Sequence, residues 1–209
     1  MRADLMKIMK IINLGEKLKS ELRHSWLSDG RRESVAEHTW RTTLMAVLLT
    51  PQLSVKADME KLLKMLIIHD LVEAEAGDIP AFDTLVDEKV RTAKINNEIK
   101  AIENIRDILG NETGQELHDL WYEFERKQTI EAKIANALDK LEAQIQHNES
   151  DISTWIEIEH EMCFELGKHV EFEPVLSTLK DIIQAEAEAK LEDAGIVVDI
   201  AKGKCPTQS

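Results

Sequence analysis

The segment at residues 62–68 constrains the fold more strongly than any other part of the chain. Lys64 is its only polar residue, and the other positions are leucine, isoleucine or methionine. A helix that is apolar almost all round normally lies buried at the centre of a protein. We therefore predict a central helix from position 56 or 58 to about Ala76, ended by Gly77 and followed by Pro80.

Other segments with helical periodicity flank this one. One of them starts at a recognisable signal, because Ser34 and the glutamate three residues later, Glu37, form a capping box. Residues 24–32 contain Ser28, Asp29 and Gly30 and are predicted to be a loop. The other predicted helices cover about residues 5–23, 34–50, 83–109, 113–125, 129–148 and 173–193, with one more starting at 150 or 151.

Composition supports a helical protein. The chain of 209 residues contains only 8 glycines and 4 prolines, too few for the many turns of an all-β protein. We predict an all-α fold with a single domain over residues 1–194 and a C-terminal tail at 195–209. The tryptophans Trp40, Trp121 and Trp155 are expected to lie in the core.

Charge and cysteine content limit the partners and the compartment. The chain has 26 basic and 40 acidic residues and a formal net charge of −14, which argues against a nucleic-acid polymer as partner. Two cysteines, Cys163 and Cys205, are too few for a disulfide scaffold and suit a reducing compartment. The longest uncharged stretch, residues 42–55, is too short to span a bilayer, and lysines interrupt any apolar run near Met1. We therefore expect a cytoplasmic protein that has a small-molecule partner and no membrane partner.

A cluster of ionisable residues follows the apolar segment directly. His69 and Asp70 come first, Glu73 lies four residues after His69, and Asp78 comes just after the predicted helix end. Residues three and four apart share a helix face, so Glu73 should lie beside both His69 and Asp70. Buried carboxylates are costly unless they are paired with a cation, and a metal ion would remove the repulsion among them.

Two other residues offer the same chemistry. His38 follows Glu37 in the first turn of its helix, and Asp139 lies beside the apolar stripe of the helix at 129–148. Two imidazoles and two carboxylates suit a six-coordinate divalent ion of the first transition row, whereas a structural zinc site would favour cysteine ligands. We predict one divalent ion, with Mn, Co, Ni, Fe and Mg left open, held by His38, His69, Asp70 and Asp139.

The order of His38, the pair His69-Asp70 and Asp139 resembles the H…HD…D signature of the HD-domain superfamily. The flanking residues 31–40 and 69–80 are similar to the 5′-deoxynucleotidase branch of that superfamily, which contains the bacterial deoxyribonucleoside 5′-monophosphatases and their archaeal and eukaryotic relatives. The resemblance extends over residues 5–165. It implies an HD-domain helical bundle with the metal site between central helices, a homodimer, and metal-dependent hydrolysis of nucleoside 5′-monophosphates, with the deoxyribonucleotides favoured.

The resemblance also implies roles for individual residues. The four predicted ligands match the family's metal ligands, and Glu73 matches the carboxylate that positions and deprotonates the attacking water. Asp78 matches the residue that holds a sugar hydroxyl. The remaining matches to substrate-binding positions are Trp26 near the sugar, Arg31 at the place of a family arginine, and Ile79, Pro80 and Ala81 along the pocket.

The sequence departs from the family just before the first motif. The segment that follows Trp26 is shorter than in relatives, and Ser25 stands where the bacterial monophosphatase has an arginine thought to help reject ribonucleotides. Selection of deoxyribose over ribose is therefore left open. Three arginines are candidates to neutralise the phosphate, namely Arg23, Arg31 and Arg32.

Three other functions remain open from the sequence. Another HD phosphohydrolase activity, on a nucleoside triphosphate, a cyclic nucleotide or an alarmone, would need more cationic side chains near the motifs. A di-iron oxygenase would need extra histidine ligands between Asp70 and Asp139, where His118 is the only candidate. A non-catalytic nucleotide-binding protein would have no need of a base such as Glu73. A supporting role behind the ligands is considered for His147, two helical turns after Asp139.

Overall fold

Helices dominate residues 1–197, the part of the chain that the computed structural model describes. The prediction of an all-α fold is confirmed, with one small antiparallel sheet added. The elements in chain order are α1 (Arg2–Gly15), β1 (Leu22–Trp26), β2 (Arg32–Ser34), α2 (Val35–Leu49), α3 (Met59–Ile68), α4 (Glu73–Ala76), α5 (Ala81–Val86), α6 (Glu88–Leu109), α7 (Glu112–Arg126), α8 (Ile130–Glu149), α9 (Glu157–Met162), α10 (Gly167–Val170) and α11 (Pro174–Asp193). Short 3₁₀ turns lie at Glu16–Lys19, Thr50–Gln52 and Ile152–Thr154.

Helix α8 forms the axis of the bundle. It packs against α2, α3, α7 and α11, and its apolar residues Ile134, Leu138 and Leu141 are completely buried. Thr129 caps its first turn, because the Thr129 hydroxyl accepts a hydrogen bond from the backbone N–H of Ala132. Asp139 lies in the middle of this helix, so its carboxylate is held at the centre of the fold.

Helix α3 is buried as its sequence predicts. Leu62, Met65 and Leu66 are inaccessible to solvent, and the helix packs between α2, α7 and α8. The helix ends earlier than expected, however, because the predicted helix at 56–76 is interrupted between Ile68 and Glu73. In this interruption backbone hydrogen bonds run three residues back, from Leu71 to Ile68 and from Glu73 to Asp70, as in a 3₁₀ turn.

The predicted start of α2 is confirmed. Ser34 accepts a hydrogen bond from the backbone N–H of Glu37, and the Glu37 carboxylate accepts one in return from the backbone N–H of Ser34. The helix ends at Leu49, just before Pro51. This cap places His38 in the first turn of α2, where it points into the core and is completely buried.

The loop predicted at 24–32 is partly wrong, and so is the end of the first helix at 23. Strand β1 pairs with β2 so that Leu22 lies opposite Ser34 and Trp26 opposite Arg32. The turn between them is closed by Leu27, whose N–H donates to the Arg31 carbonyl. A strand of five residues with one buried side chain carries too little alternation to be recognised by pattern alone.

Two further helices also begin or break at unexpected points. The predicted helix at 83–109 is split at Asp87, whose side chain caps α6 by accepting from the backbone N–H of Lys89. The helix expected from 150 or 151 is a 3₁₀ turn there and becomes α-helical only at Glu157. Both breaks occur where an aspartate side chain competes for the first backbone N–H groups of a turn.

The tryptophans do not all lie in the core. Trp121 is buried in the main core, and Trp155 is buried in a smaller apolar cluster with Cys163 and Leu191. Trp40, in contrast, is 66% exposed on the outer face of α2, so that prediction is wrong.

None of the helices in residues 1–197 combines the length and the apolar composition that crossing a bilayer requires. The structure describes the predicted tail only as far as Val197, and residues 198–209 lie outside the described part.

Candidate active site

The four side chains predicted to bind metal lie together between α2, α8 and the turn after α3. Nε2 of His38 is 3.2 Å from Oδ1 of Asp139 and 3.6 Å from Oδ2 of Asp70. Nε2 of His69 is 3.1 Å from the same Asp70 oxygen. Donor atoms of His38, His69 and Asp139 all lie within 4.8 Å of one another. Three of the predicted ligands therefore converge on one point, and Asp70 lies beside them, within 3.6 Å of Nε2 of both histidines.

The orientation of the two imidazoles fits a metal ion. Nδ1 of His38 hydrogen-bonds the Glu142 carboxylate, and Nδ1 of His69 donates to the Leu66 carbonyl at 2.6 Å. With Nδ1 carrying the proton, each Nε2 presents a lone pair. Both Nε2 atoms are buried and have no hydrogen-bond partner within the described residues, an arrangement that is costly unless a cation accepts the lone pairs.

The charges around this point favour a cation. Burial lowers the pKa of His38, but the carboxylates of Glu142 and Asp139 outweigh that effect and raise it to about 10. Burial raises the pKa of Asp70, but His69 and His38 beside it have the larger, opposite effect. The pKa of Asp70 therefore lies below its usual value. Burial also acts to raise the pKa of Asp139. Lys140 and the two histidines outweigh burial, so the pKa of Asp139 lies well below its usual range. Carboxylates gathered at one point are the surroundings that a divalent ion would stabilise, and an ion bound at Nε2 would take the place of the proton that these carboxylates otherwise hold on His38.

Glu142 is a residue of the candidate site that the sequence analysis missed. Its side chain is completely buried between His38 and Arg41, whose Nε donates to Oε1 of Glu142 at 2.7 Å. It therefore fixes both the ring orientation and the tautomer of His38. One signal was present in the sequence, because Glu142 lies three residues after Asp139 on the same face of α8.

Glu73 begins α4 beside the cluster. Its carboxylate is buried, and Oε2 lacks a hydrogen-bond partner in residues 1–197. Burial and the negative charges of Asp70 and Asp78 raise the pKa of Glu73 well above its ordinary value. Its other oxygen lies 3.7 Å from Nζ of Lys94, which is held at 2.5 Å from Glu98. A buried carboxylate with one free oxygen and a raised pKa can accept a proton from water.

Of the three candidate arginines, Arg23 is the one beside the predicted ligands. Its side chain is mostly buried, with Nε 3.3 Å from Glu33 and Nη1 3.7 Å from Asp70. Arg31 is exposed and makes a bidentate pair with Glu37 at 2.6 and 3.0 Å, so the structure does not bring it to the cluster.

Arg32 also lies away from the ligands. It donates to the backbone carbonyls of Leu22 and Arg23, and its guanidinium lies 5.9 Å from the centre of the Trp26 ring. Lys94 is a second cation near Glu73, and nothing in the polar sequence of α6 distinguished it from the other lysines.

The residues predicted to contact the nucleoside lie in β1 and in the segment between α4 and α5. Asp78 is partly buried, and its backbone N–H donates to Glu21 at 3.0 Å. Burial raises the pKa of Asp78, and Asp70 adds to the effect against the opposing charge of Arg23. The further predicted pocket residues are Ile79 and Pro80, both half-buried, Ala81, which is exposed, and Trp26, which is half-buried in β1.

His147 takes no part in the cluster of ligands. Its Nε2 is 3.6 Å from Glu159, and its ring packs against Trp155. Burial lowers the pKa of His147 to about 4, with Arg23 and His24 adding to the effect. The supporting role considered for it behind the ligands is filled by Glu142 instead.

These positions together describe a helical enzyme that uses a divalent ion to cleave its substrate with water, a metal-dependent hydrolase. The chain belongs to the HD domain family, whose model matches residues 15–180.

Curated relatives and solved structures agree with this assignment. The chain is 34% identical over 137 residues to the 5′-deoxynucleotidase HDDC2 of Dictyostelium discoideum, covering 62% of this chain and 70% of that protein. It is 28% identical over 144 residues to the Homo sapiens protein of the same name, covering 68% and 67%. A crystal structure of a predicted metal-dependent phosphohydrolase from Magnetospirillum magnetotacticum is 28% identical, with a TM-score of 0.80, and the match covers 94% of this chain and 97% of that one.

Proposed function

We propose that this protein hydrolyses nucleoside 5′-monophosphates to nucleoside and inorganic phosphate, with deoxyribonucleoside 5′-monophosphates as the favoured substrates. The observation that carries the proposal is the pair of unpartnered Nε2 atoms of His38 and His69, which face two aspartates beside the buried Glu73. The 5′-deoxynucleotidase names of several relatives support the choice of substrate.

His38, His69, Asp70 and Asp139 would hold the ion. A divalent ion bound there supplies a Lewis acid that polarises the phosphate and lowers the pKa of a coordinated water. The mixed set of imidazole and carboxylate ligands favours Mn, Co, Ni or Fe over Mg, which prefers oxygen ligands alone.

Glu73 acts as the general base. Its unpartnered oxygen accepts a proton from the water that attacks phosphorus, and the bond from phosphorus to the 5′-oxygen breaks. The leaving 5′-oxygen takes up a proton from solvent, and Glu73 returns its own proton to solvent, so that the step consumes one water overall. Lys94 keeps the carboxylate in place from one side. A raised pKa makes Glu73 a stronger base than an exposed glutamate once it is ionised.

Arg23 and Lys94 neutralise the phosphate. The guanidinium of Arg23 lies between two carboxylates, with Nε 3.3 Å from Glu33 and Nη1 3.7 Å from Asp70, so it reaches the side of the predicted metal ligands. A guanidinium in that position can donate hydrogen bonds to two phosphate oxygens at once. This assignment replaces Arg31, which the resemblance indicated and which is engaged with Glu37 at the surface.

The nucleoside half of the substrate lies between Asp78 and Trp26. Asp78 accepts a hydrogen bond from a sugar hydroxyl, and Ile79, Pro80, Ala81 and Trp26 line the pocket. Ser25 is buried and carries no positive charge, so it does not supply the cation that the resemblance places at this position.

The placement of His118 weighs against the di-iron alternative. The ring lies on α7 next to Tyr122, 4.7 Å between ring centres, and its Nδ1 is 3.1 Å from Asp119. Among residues 1–197 it does not belong to the groups of donors that converge with His38.

The test is phosphate release from protein stripped with EDTA and supplied again with Mn²⁺, Co²⁺, Fe²⁺ or Mg²⁺. The substrates are matched pairs of deoxyribo- and ribonucleoside 5′-monophosphates. Metal-dependent release with a higher kcat/KM for the deoxyribonucleotides supports the proposal. Release from triphosphates or cyclic nucleotides, without release from monophosphates, contradicts it.

We also propose a homodimer that forms through the outer face of α2. Trp40, Leu44, Val47 and Leu48 are exposed there and share one stripe, because they are spaced four, three and one residues apart. A two-fold interface needs such a self-complementary apolar patch. Light scattering should give twice the mass of the chain for the unmodified protein and the mass of one chain for Trp40→Glu. A single-chain mass for the unmodified protein contradicts the proposal.

We place the protein in the cytoplasm. Cys163 is a buried free thiol, which suits a reducing compartment. Cell fractionation should recover the protein with cytosolic markers, and recovery with membranes or outside the cell would contradict this placement.

A further inference from the structure

His24 connects two parts of the predicted nucleoside pocket. Its ring centre is 4.7 Å from the ring of Trp26 on β1 and 4.9 Å from the ring of Phe82 on α5, and both contacts are edge-to-face. This geometry is the favourable one for aromatic pairs. Phe82 lies four residues after Asp78, so His24 touches both the Trp26 wall and the segment that carries Asp78.

Helix α5 has few other attachments. Every residue of α5 is at least partly exposed, its last two residues Leu85 and Val86 are largely so, and the helix packs mainly on α6. The contact of Phe82 with His24 is therefore the aromatic link that joins this short helix to β1. Loss of that link would loosen α5 and the residues that join it to Asp78, while the Asp78 backbone N–H stays bonded to Glu21.

The far edge of the His24 ring faces a buried carboxylate. Nε2 of His24 is buried without a hydrogen-bond partner among the described residues and lies 3.5 Å from Oε1 of Glu159. Nε2 of His147 lies 3.6 Å from the same oxygen. The other oxygen of Glu159 is fixed, because it accepts the backbone N–H of Ile156 at 2.8 Å.

None of these three ionisable groups has a task in the hydrolysis itself. Burial raises the pKa of Glu159 to about 7, and burial together with Arg32 lowers the pKa of His24. Both shifts favour the neutral forms, so the Glu159 carboxyl and the His24 imidazole can lie side by side in a buried position without an uncompensated charge. The cluster thus provides a rigid support behind His24, anchored in α9.

We propose that His24 is a positioning residue for the nucleoside: Glu159 fixes its ring, and the ring holds Phe82 and thereby the segment that presents Asp78. The inference rests on the proposed function, since it concerns the nucleoside half of that substrate. Other residues contact the phosphate and the reacting atoms in the proposed function. Substitution of His24 should therefore change nucleoside binding alone.

The test compares two ligands of the Mn²⁺-loaded protein. One is deoxyadenosine 5′-monophosphate, measured by KM and kcat, and the other is inorganic phosphate, measured by its inhibition constant. His24→Ala and Phe82→Ala should each raise KM about tenfold with kcat within about threefold of wild type, given the strength of one aromatic contact. The inhibition constant of phosphate should stay within about twofold, because phosphate contacts neither ring.

Three further variants separate positioning from a general structural effect. The double variant H24A/F82A should bind no more weakly than either single variant, since both break the same link. Glu159→Gln should behave like wild type because an amide of the same shape keeps the contact with the ring and the hydrogen bond from Ile156, while Glu159→Ala should resemble His24→Ala. His118→Ala on α7 is the matched control and should leave all constants unchanged.

The outcomes are distinguishable. Equal losses for nucleotide and phosphate, additive effects in the double variant, or wild-type KM in His24→Ala would each overturn the role of His24 while leaving the hydrolase proposal intact. If the wild-type protein hydrolyses p-nitrophenyl phosphate with Mn²⁺ but no nucleoside 5′-monophosphate, the proposed function fails and the role of His24 fails with it.

Discussion

Replacing Glu142 with glutamine should weaken metal binding, although Glu142 is not one of the four predicted ligands. The Glu142 carboxylate is completely buried and holds two partners at once, Nδ1 of His38 and Nε of Arg41. The carboxylate forces the proton onto Nδ1 and leaves Nε2 free for the ion. A glutamine has one accepting oxygen for these two donors, and its NH₂ group can stabilise the wrong tautomer of His38.

The size of the effect follows from the two roles of this carboxylate. Loss of a hydrogen-bond partner behind a metal ligand typically costs about 10- to 100-fold in metal affinity, or about 1.4–2.7 kcal/mol. Glu142→Ala leaves a buried imidazole and a guanidinium without their anion, which costs about 3–5 kcal/mol in folding for a fully buried pair. Arg41 retains hydrogen bonds at 2.6 Å to Gln146 and to Glu149, so the alanine variant should lie near the lower limit.

Calorimetric titration of EDTA-stripped protein with Mn²⁺ measures the affinity, and urea unfolding measures the stability. Glu149→Gln is the matched control on the same helix, because Glu149 also accepts from Arg41 but is half exposed. An exposed ion pair contributes about 0–1 kcal/mol, so the control should bind Mn²⁺ like the wild-type protein. Wild-type affinity in Glu142→Gln, or an equal loss in Glu149→Gln, would refute the reasoning.

Three other outcomes are expected. Asp139→Ala should remove both metal binding and metal-dependent phosphate release, and turnover that persists in this variant would rule out the site as described. Arg23→Ala should lower kcat/KM about 10- to 100-fold, as expected for a charged hydrogen bond, whereas Arg31→Ala should stay near wild type; equal effects would show that burial does not identify the phosphate ligand. Glu173 is buried, which raises its pKa, but hydrogen bonds from Ser54 and from the start of α11 lower it below its ordinary value of 4.5. Its contribution to stability is therefore present above about pH 4.5 and lost as the pH falls through the lower folded-state pKa. Glu173→Gln should cost about 1–2 kcal/mol in urea unfolding at pH 7 and less at pH 3, and a difference independent of pH would contradict this.

The parts of the fold that were predictable from sequence depend on local signals. The capping box of Ser34 and Glu37 requires only residues three apart, and the buried helix α3 follows from its uninterrupted apolar surface. The four residues predicted to bind metal could be picked out because buried ionisable residues are rare and must be explained. Their convergence depends on tertiary packing, which the sequence does not show directly. It was inferred from the resemblance of the motif spacing to that of a known family.

The parts that were not predictable depend on contacts distant in sequence. The strand β1 exists because it pairs with β2, and its five residues have no pattern of their own. Lys94 reaches Glu73 because α6 packs against α4, although α6 reads as an ordinary polar helix. Trp40 was assigned to the core by its size, but the exposed face of α2 is apolar as well, so periodicity could not decide which face is buried.

The interruption between α3 and α4 shows how one side chain can serve both fold and function. In a continuing helix the Leu66 carbonyl would accept the backbone N–H of Asp70, four residues later. Here it accepts Nδ1 of His69 at 2.6 Å, and the backbone continues through hydrogen bonds that reach only three residues back. The same bond that ends the helix therefore sets the tautomer of His69. The tighter turn also brings Asp70 to 3.1 Å from Nε2 of His69, although neighbouring side chains on a regular helix diverge by about 100°. The sequence pattern predicts a longer helix here and misses this turn. The Leu66 carbonyl is taken by the His69 side chain, and periodicity alone does not indicate that competition.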